Sequence, residues 1–189
     1  NPQYGGIASG RFHYQKSRAD RALENLENPA EHVLEAIEAA KKEAGPNANT
    51  GENLCTKFEN VYLASSEGPA GEDSRSAIEF SIRAFSQKEA SGHGVECSST
   101  IKGFDAARAG RKAGEIARQA KKAKAGVEGR YDVIFAPSFA GALLDMWGSM
   151  TSAYNVLVQL SIFVNKLAQR VASDIVTIRD VTAAYSMES

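Results

Sequence analysis

His93 and Cys97 stand four residues apart in SGHGVECSS. Cys55 and Glu96 add a second thiol and a carboxylate, so the donor types of a zinc site are all present. On an extended strand, even spacing turns both His93 and Cys97 to one face. Two ligands are too few, because zinc takes four from a protein, or three with a water. No spacing ties Cys55 or Glu96 to that pair, so ordinary surface or packing roles are favoured for all four. His32 falls in a helical pattern without a second His or Cys one turn away, and it too reads as a surface residue. His13, the third histidine, belongs to an irregular lead-in.

A second candidate lies in PSFAGALLDMWGSM, residues 137–150. Asp145 is the one acid there, beside Met146, Met150 and the chain's only tryptophan. A buried ionised carboxylate is costly, so Asp145 either has a chemical task or reaches solvent or a hydrogen-bond partner. The residues of 108–124 offer a third candidate: Arg108, Arg111, Lys112, Arg118, Lys121, Lys122 and Lys124 form a cationic helix face. Such a face could bind phosphate. No aromatic residues interleave for base stacking. A solvated face whose long stems cover an alanine stripe is therefore the favoured reading. There is no nucleophile elbow, phosphate loop or dinucleotide fingerprint.

The elements that must position these groups follow from periodicity. Ser17–Glu27 has the composition of a short polar helix. Asn28-Pro29-Ala30-Glu31 predicts a helix start, with Asn28 as N-cap and Pro29 at the first position. Val33, Ala36, Ile37, Ala40 and Ala44 continue it to Gly45-Pro46. Residues 47–53 read as a loop and Lys57–Ser65 as a strand. Ile78, Phe80, Ile82 and Ala84 alternate with polar residues, the clearest strand in the chain. Residues 90–94 read as a turn and 95–101 as a third strand, completing an antiparallel meander with one wet face. Residues 104–124 read as a helix whose small-residue stripe is Ala109, Ala113, Ile116, Ala117 and Ala120. Beyond it, Tyr131–Ala136 reads as a strand, 138–160 as a largely apolar helix, 162–172 as an amphipathic segment and Ile175–Ile178 as a strand. Unequal blocks of strands and helices predict an α+β fold, an antiparallel or mixed sheet with packed helices.

The totals exclude several classes. A net charge of −1 gives no overall attraction to nucleic acid or membrane. Two cysteines in 189 residues do not make a disulfide framework, and a reducing, cytoplasmic setting is expected. No apolar run is long enough to span a membrane, and no signal segment is visible. The chain starts at Asn1, without methionine.

The stretch from Tyr131 to Asp180 resembles the conserved segment of the TldD/PmbA family, described as modulators of DNA gyrase and as metallopeptidase subunits. The similar features are an apolar run ending at Pro137, Ala140-Gly141 and Leu143-Leu144, then Ser152-Ala153 with Asn155-Val156. Ser161–Phe163, Lys166-Leu167, Val171–Ser173 and Thr177–Asp180 complete them. Upstream, Asn1-Pro2 and Gly5-Gly6 fit more loosely, and the last residues, TAAYSMES, look like a further family segment. The family's N-terminal region has no counterpart before Asn1, and a family stretch is missing between Asp180 and Val181. The resemblance thus implies an incomplete chain, with residues 1–130 as a central α+β region and 131–189 as the start of the family's C-terminal domain.

Catalytic members of the family carry HExxxH directly after the Leu-Leu pair, with a later cysteine completing the zinc site. Placed on this sequence, the first His position is Asp145, the Glu position Met146 and the last His position Met150. None of the three types is kept, so the resemblance implies a degenerate site with no catalytic or metal-binding residue of its own. It resembles the PmbA-like (TldE-like) branch, and implies a non-catalytic subunit in a complex that processes or degrades peptides. The expected partner is a TldD-like paralogue holding zinc, or a second copy, with no membrane and no direct nucleic-acid contact. The alternatives are an active metallopeptidase with an atypical site, using Asp145 or His93 and Cys97, and a gyrase-modulating binding protein.

Overall fold

The computed structural model describes residues 16–179. His13, Asn1-Pro2, Gly5-Gly6, Asp180 and the segment TAAYSMES lie outside the described residues. The chain divides into two compact units, one running to Ala125 and one from Gly126.

The first unit is built on a sheet of β1 (Asn49–Ala64), β2 (Ala70–Gln87) and β3 (Ala90–Ser98), in the order β1-β2-β3 and antiparallel throughout. Helices α1 (Pro29–Ala44) and α2 (Ala106–Ala120) complete it. The predicted meander is present, and α+β describes it. Ile78, Phe80, Ile82 and Ala84 point inward and are buried, as their alternation requires. Ala36, Ala40 and Ala44 of α1 and Ala106, Ala109, Ala113 and Ala117 of α2 close over them in one core. Alanine makes up most of this core, and its largest fully buried side chain is Phe80.

Alanine and glycine let the backbones approach. A Cβ added at Gly92 or Gly94 of β3 would fall under 3.0 Å from the α2 backbone at Ala113 or Ala109. One added at Gly110 or Gly114 would meet the α1 backbone at Ala36 or Ala40 equally closely. So α2 lies with one bare stripe on β3 and another on α1. This explains the first correction: residues 90–94 are strand, not turn. Their glycines make room for a helix. The actual turn is Lys88-Glu89, next to an irregular register at Phe85/Gln87.

Other expectations also change. Residues 49–53 are strand, not loop, because Asn49 to Asn53 pair with Phe85 to Ser81; β1 is an edge strand, where polar residues are tolerated. β3 ends at Ser98, short of Ile101. Ser17–Glu27 holds only a single 3-10 turn, Arg21–Leu23. Asn28 does not cap α1 with its side chain: it adopts a left-handed conformation (φ 49°) and contributes only its carbonyl, to the Glu31 N–H at 3.0 Å. At the other end Gly45, at φ 114°, closes α1 as expected, its N–H bonded to Lys41 O at 2.9 Å.

Residues 16–26 are tied to the sheet by polar bonds. Lys16 pairs with Glu72 at 2.8 Å, and the Ser17 N–H and hydroxyl donate to the Asp73 carboxylate at 2.8 and 2.9 Å. The Asp20 N–H donates to Ser76 Oγ, and the Asp20 carboxylate accepts from the Ile101 N–H at 2.9 Å. Leu23 then drops into the core. The Ser17 donors, backbone first, hold the Asp73 carboxyl below its ordinary value of 3.8, and Lys16 does the same for Glu72. A lowered folded pKa stabilises the clasp above the ordinary value, and that help is lost as pH falls through the lowered value. Residues 16–20 should therefore loosen in acid before the core unfolds. Amide exchange at Ser17 and Asp20 across an acid titration reads this, and Asp73→Asn should loosen the Ser17 contact at neutral pH without loosening it further in acid.

The second unit carries α3 (Pro137–Met150) and the short α4 (Ala153–Leu157). The expected single helix over 138–160 is broken at Thr151-Ser152, where Ser152 Oγ caps α4 by accepting from the Asn155 N–H at 3.2 Å. Ser161 Oγ donates to Met150 O at 2.6 Å and folds the chain back behind the break. Residues 131–136 and 175–178 are not strands. A strand exists through its partner, and among the described residues nothing pairs with either run. Residues 162–172 form turns, not an amphipathic helix. No residue of α3 is buried, and Ile134, Leu157, Leu160 and Ile175 are largely exposed.

Candidate functional site

On α3, Asp145 is exposed, so its carboxylate is not paying a burial penalty, and it has no hydrogen-bond or ion-pair partner among the described residues. Met146 and Met150, four apart, share a helix face; Met146 is 44% exposed and Met150 half-buried. The donor set here is one carboxylate and two thioethers. Zinc favours imidazole, thiolate and carboxylate, and a thioether can neither take a proton from water nor hold this metal well. The residues present do not fit zinc. Among the described residues no group of three or more His, Cys, Asp or Glu side chains could hold a metal ion.

The second candidate set is dispersed by the sheet. His93 and Cys97 do share the exposed face of β3, as even spacing predicts. Four residues along a strand is about 13 Å, too far for one ion. Cys55 is opposite Glu79, and Glu79 is opposite Cys97, so the two thiols are two strands apart. Glu96 faces the other way, 7% exposed, and binds Arg108 through both oxygens. Its hydrogen bonds and charge hold the Arg108 guanidinium above its ordinary value. His32 is half-buried, packed edge-on against Phe104 with ring centres 5.5 Å apart.

The cationic face of α2 is laced with counter-charges. Besides Arg108–Glu96, Arg111 pairs with Asp105 at 3.1 Å, Lys112 with Glu115 at 3.7 Å, and Arg118 with Glu43 at 3.7 Å. Lys121 donates to Ala44 O at 3.2 Å. A shallow groove of about 430 Å³ runs here, but Glu43 and Glu115 line it along with the arginines. The helix thus presents a mixed-sign surface over its small-residue stripe. Glu96 was invisible as a partner in the sequence, since its acid is twelve residues from Arg108. A parity argument could have found it, because Glu96 falls between the exposed positions Val95 and Cys97.

Known proteins supply the remaining comparison. Residues 20–122 match the family model described as the PmbA/TldA metallopeptidase central domain. Residues 128–188 match the PmbA/TldA metallopeptidase C-terminal domain. No curated protein matches the chain significantly. Two crystal structures share the fold, each of a protein named as a candidate modulator of DNA gyrase. The one from Bacteroides thetaiotaomicron has a TM-score of 0.66 at 22% identity, over 86% of this chain and 39% of its own. The one from Thermotoga maritima has 0.63 at 18%, over 85% and 38%. The chain therefore spans less than two fifths of either structure's length. With one domain model covering more than half of the chain and a second following it in order, this chain belongs to the PmbA/TldD metallopeptidase family.

Proposed function

We propose that this chain is a non-catalytic, PmbA/TldE-like subunit of a TldD/PmbA-type complex that trims or degrades peptides in the cytoplasm. A TldD-like paralogue would supply the zinc and the general base. The observation that carries this reading is Asp145, Met146 and Met150 standing where the family's zinc helix needs two imidazoles and a glutamate. One carboxylate and two thioethers lack the two imidazoles that would hold zinc and the glutamate beside them that would activate its water. The exposed apolar side chains of α3 and its flanks fit a role in which this unit is covered within an assembly. The ion pairs along α2 weigh against the alternative of a cationic docking face for a nucleic-acid enzyme.

Zinc content and copurification test the proposal. The purified chain should hold far less than one zinc per molecule by elemental analysis, unchanged in Asp145→Ala. Coexpressed with a paralogue bearing intact HExxxH, it should copurify, and chelator-sensitive peptide cleavage should follow the pair. Stoichiometric zinc that Asp145→Ala removes, or chelator-sensitive cleavage by this chain alone, would overturn it.

A further inference from the structure

β1 is an edge strand sixteen residues long. Its inner side is paired with β2 along its whole length. On its outer side no other strand pairs with it among the described residues, and the one bond to an outward backbone group is from Cys55 Sγ to Thr56 O, within β1 at 3.9 Å. Natural edges are guarded by charges, proline or bulges. The first part of β1 carries Glu52, Lys57 and Glu59, but Asn60–Ser66 (NVYLASS) has no charge and no proline. Val61, Tyr62 and Leu63 are exposed at 43%, 76% and 55%. A long, regular, partly apolar edge is a template for another strand.

The strand's own sequence says which partner fits. In a two-fold antiparallel pair of identical strands, opposed residues share a face, so the axis must pass through a residue. An axis at Lys57 or Glu59 sets like charges against each other. An axis at Phe58 sets Lys57 against Glu59 twice, Phe58 against Phe58, Leu54 against Tyr62 and Cys55 against Val61. No other register pairs these two charges. Within one chain Lys57 and Glu59 already lie on one face, 3.7 Å apart, with Arg75 flanking Glu59 from β2. The register at Phe58 extends this into a checkerboard of alternating sign.

We infer that a second copy of this chain docks on β1, antiparallel and in register about Phe58, joining two three-stranded sheets into one of six strands. This interface stands independently of the subunit role proposed above.

The register makes a covalent test available. Opposed residues have Cβ atoms about 5 Å apart, close to disulfide geometry. Val61→Cys would face Cys55 of the second copy, while the two positions within one chain are about 20 Å apart. Under mild oxidation the full chain carrying Val61→Cys should form a disulfide dimer, and Val61→Cys with Cys55→Ser should not. Lys57→Glu, which sets glutamates against Glu59, should weaken the non-covalent dimer about tenfold in sedimentation equilibrium. A wild-type chain that stays monomeric, or crosslinking that survives Cys55→Ser, overturns the inference. So does a monomer whose Asn53–Leu63 amides resist exchange, since the chain's own ends would then cover the edge.

Discussion

Replacing Gly94 by alanine will lower the stability of the first unit by about 3 kcal/mol or more, at the top of the range for overpacked sites. The added methyl would sit against the carbonyl oxygen of Ala109, a backbone atom in the first turn of α2. No rotamer change relieves that clash, so the helix itself must move. The neighbouring residue on α2 is Gly110, which presses equally closely on Ala36 of α1. Shifting α2 off β3 thus drives it into α1. Gly51→Ala on the edge strand is the matched control. Nothing lies within 4 Å of the methyl it adds, and it should change stability by a few tenths of a kcal/mol. Urea unfolding followed by far-UV circular dichroism separates the two. A Gly94→Ala midpoint equal to that of Gly51→Ala would show that the close approach is not a constraint.

Phe80→Ala should cost about 4–5 kcal/mol, the upper half of what large-to-small core changes cost. Phe80 is 1% exposed and the largest side chain fully inside the core. Its neighbours across the strands are Leu54 and Glu96, and the helices above it present alanines. Alanines have no side-chain atoms to swing into a void, so the cavity would stay open. That separates this core from a leucine-rich one, where partial collapse softens the loss. Phe85→Ala, at a position 37% exposed, should lose about 1 kcal/mol or less, and its urea midpoint supplies the contrast.

The two predictions rest on residues that were not equally legible. Phe80 was plain in the sequence, since strict alternation over 78–84 has one structural meaning. The alanine stripe of α2 was plain as well, at Ala109, Ala113 and Ala117. Gly92 and Gly94 were misread because a glycine that permits a turn and a glycine that admits a neighbouring backbone look the same in one dimension. Residues 131–136 and 175–178 have strand composition, but strand pairing is a property of two segments and neither finds a second one among the described residues. The three positions Asp145, Met146 and Met150 were located only through resemblance. Nothing in the spacing of an aspartate and two methionines announces a degenerate metal helix, and the structure adds their exposure and their shared faces. The dispersal of His93, Cys97 and Cys55 depended on register, which side-chain parity alone does not give.

Trp147, the single tryptophan, rides on α3 in the second unit. The first unit buries alanine, isoleucine and phenylalanine, and its one described tyrosine, Tyr62, stands in solvent. Light at the red edge of the aromatic absorption band therefore excites a residue carried by the second unit. Backbone dichroism, in contrast, sums over the sheet, α1 and α2 as well as α3 and α4. Emission thus watches one body of the polypeptide, and dichroism watches both. Curves that part company would make the chain two cooperative foldons, and curves that coincide would make it one.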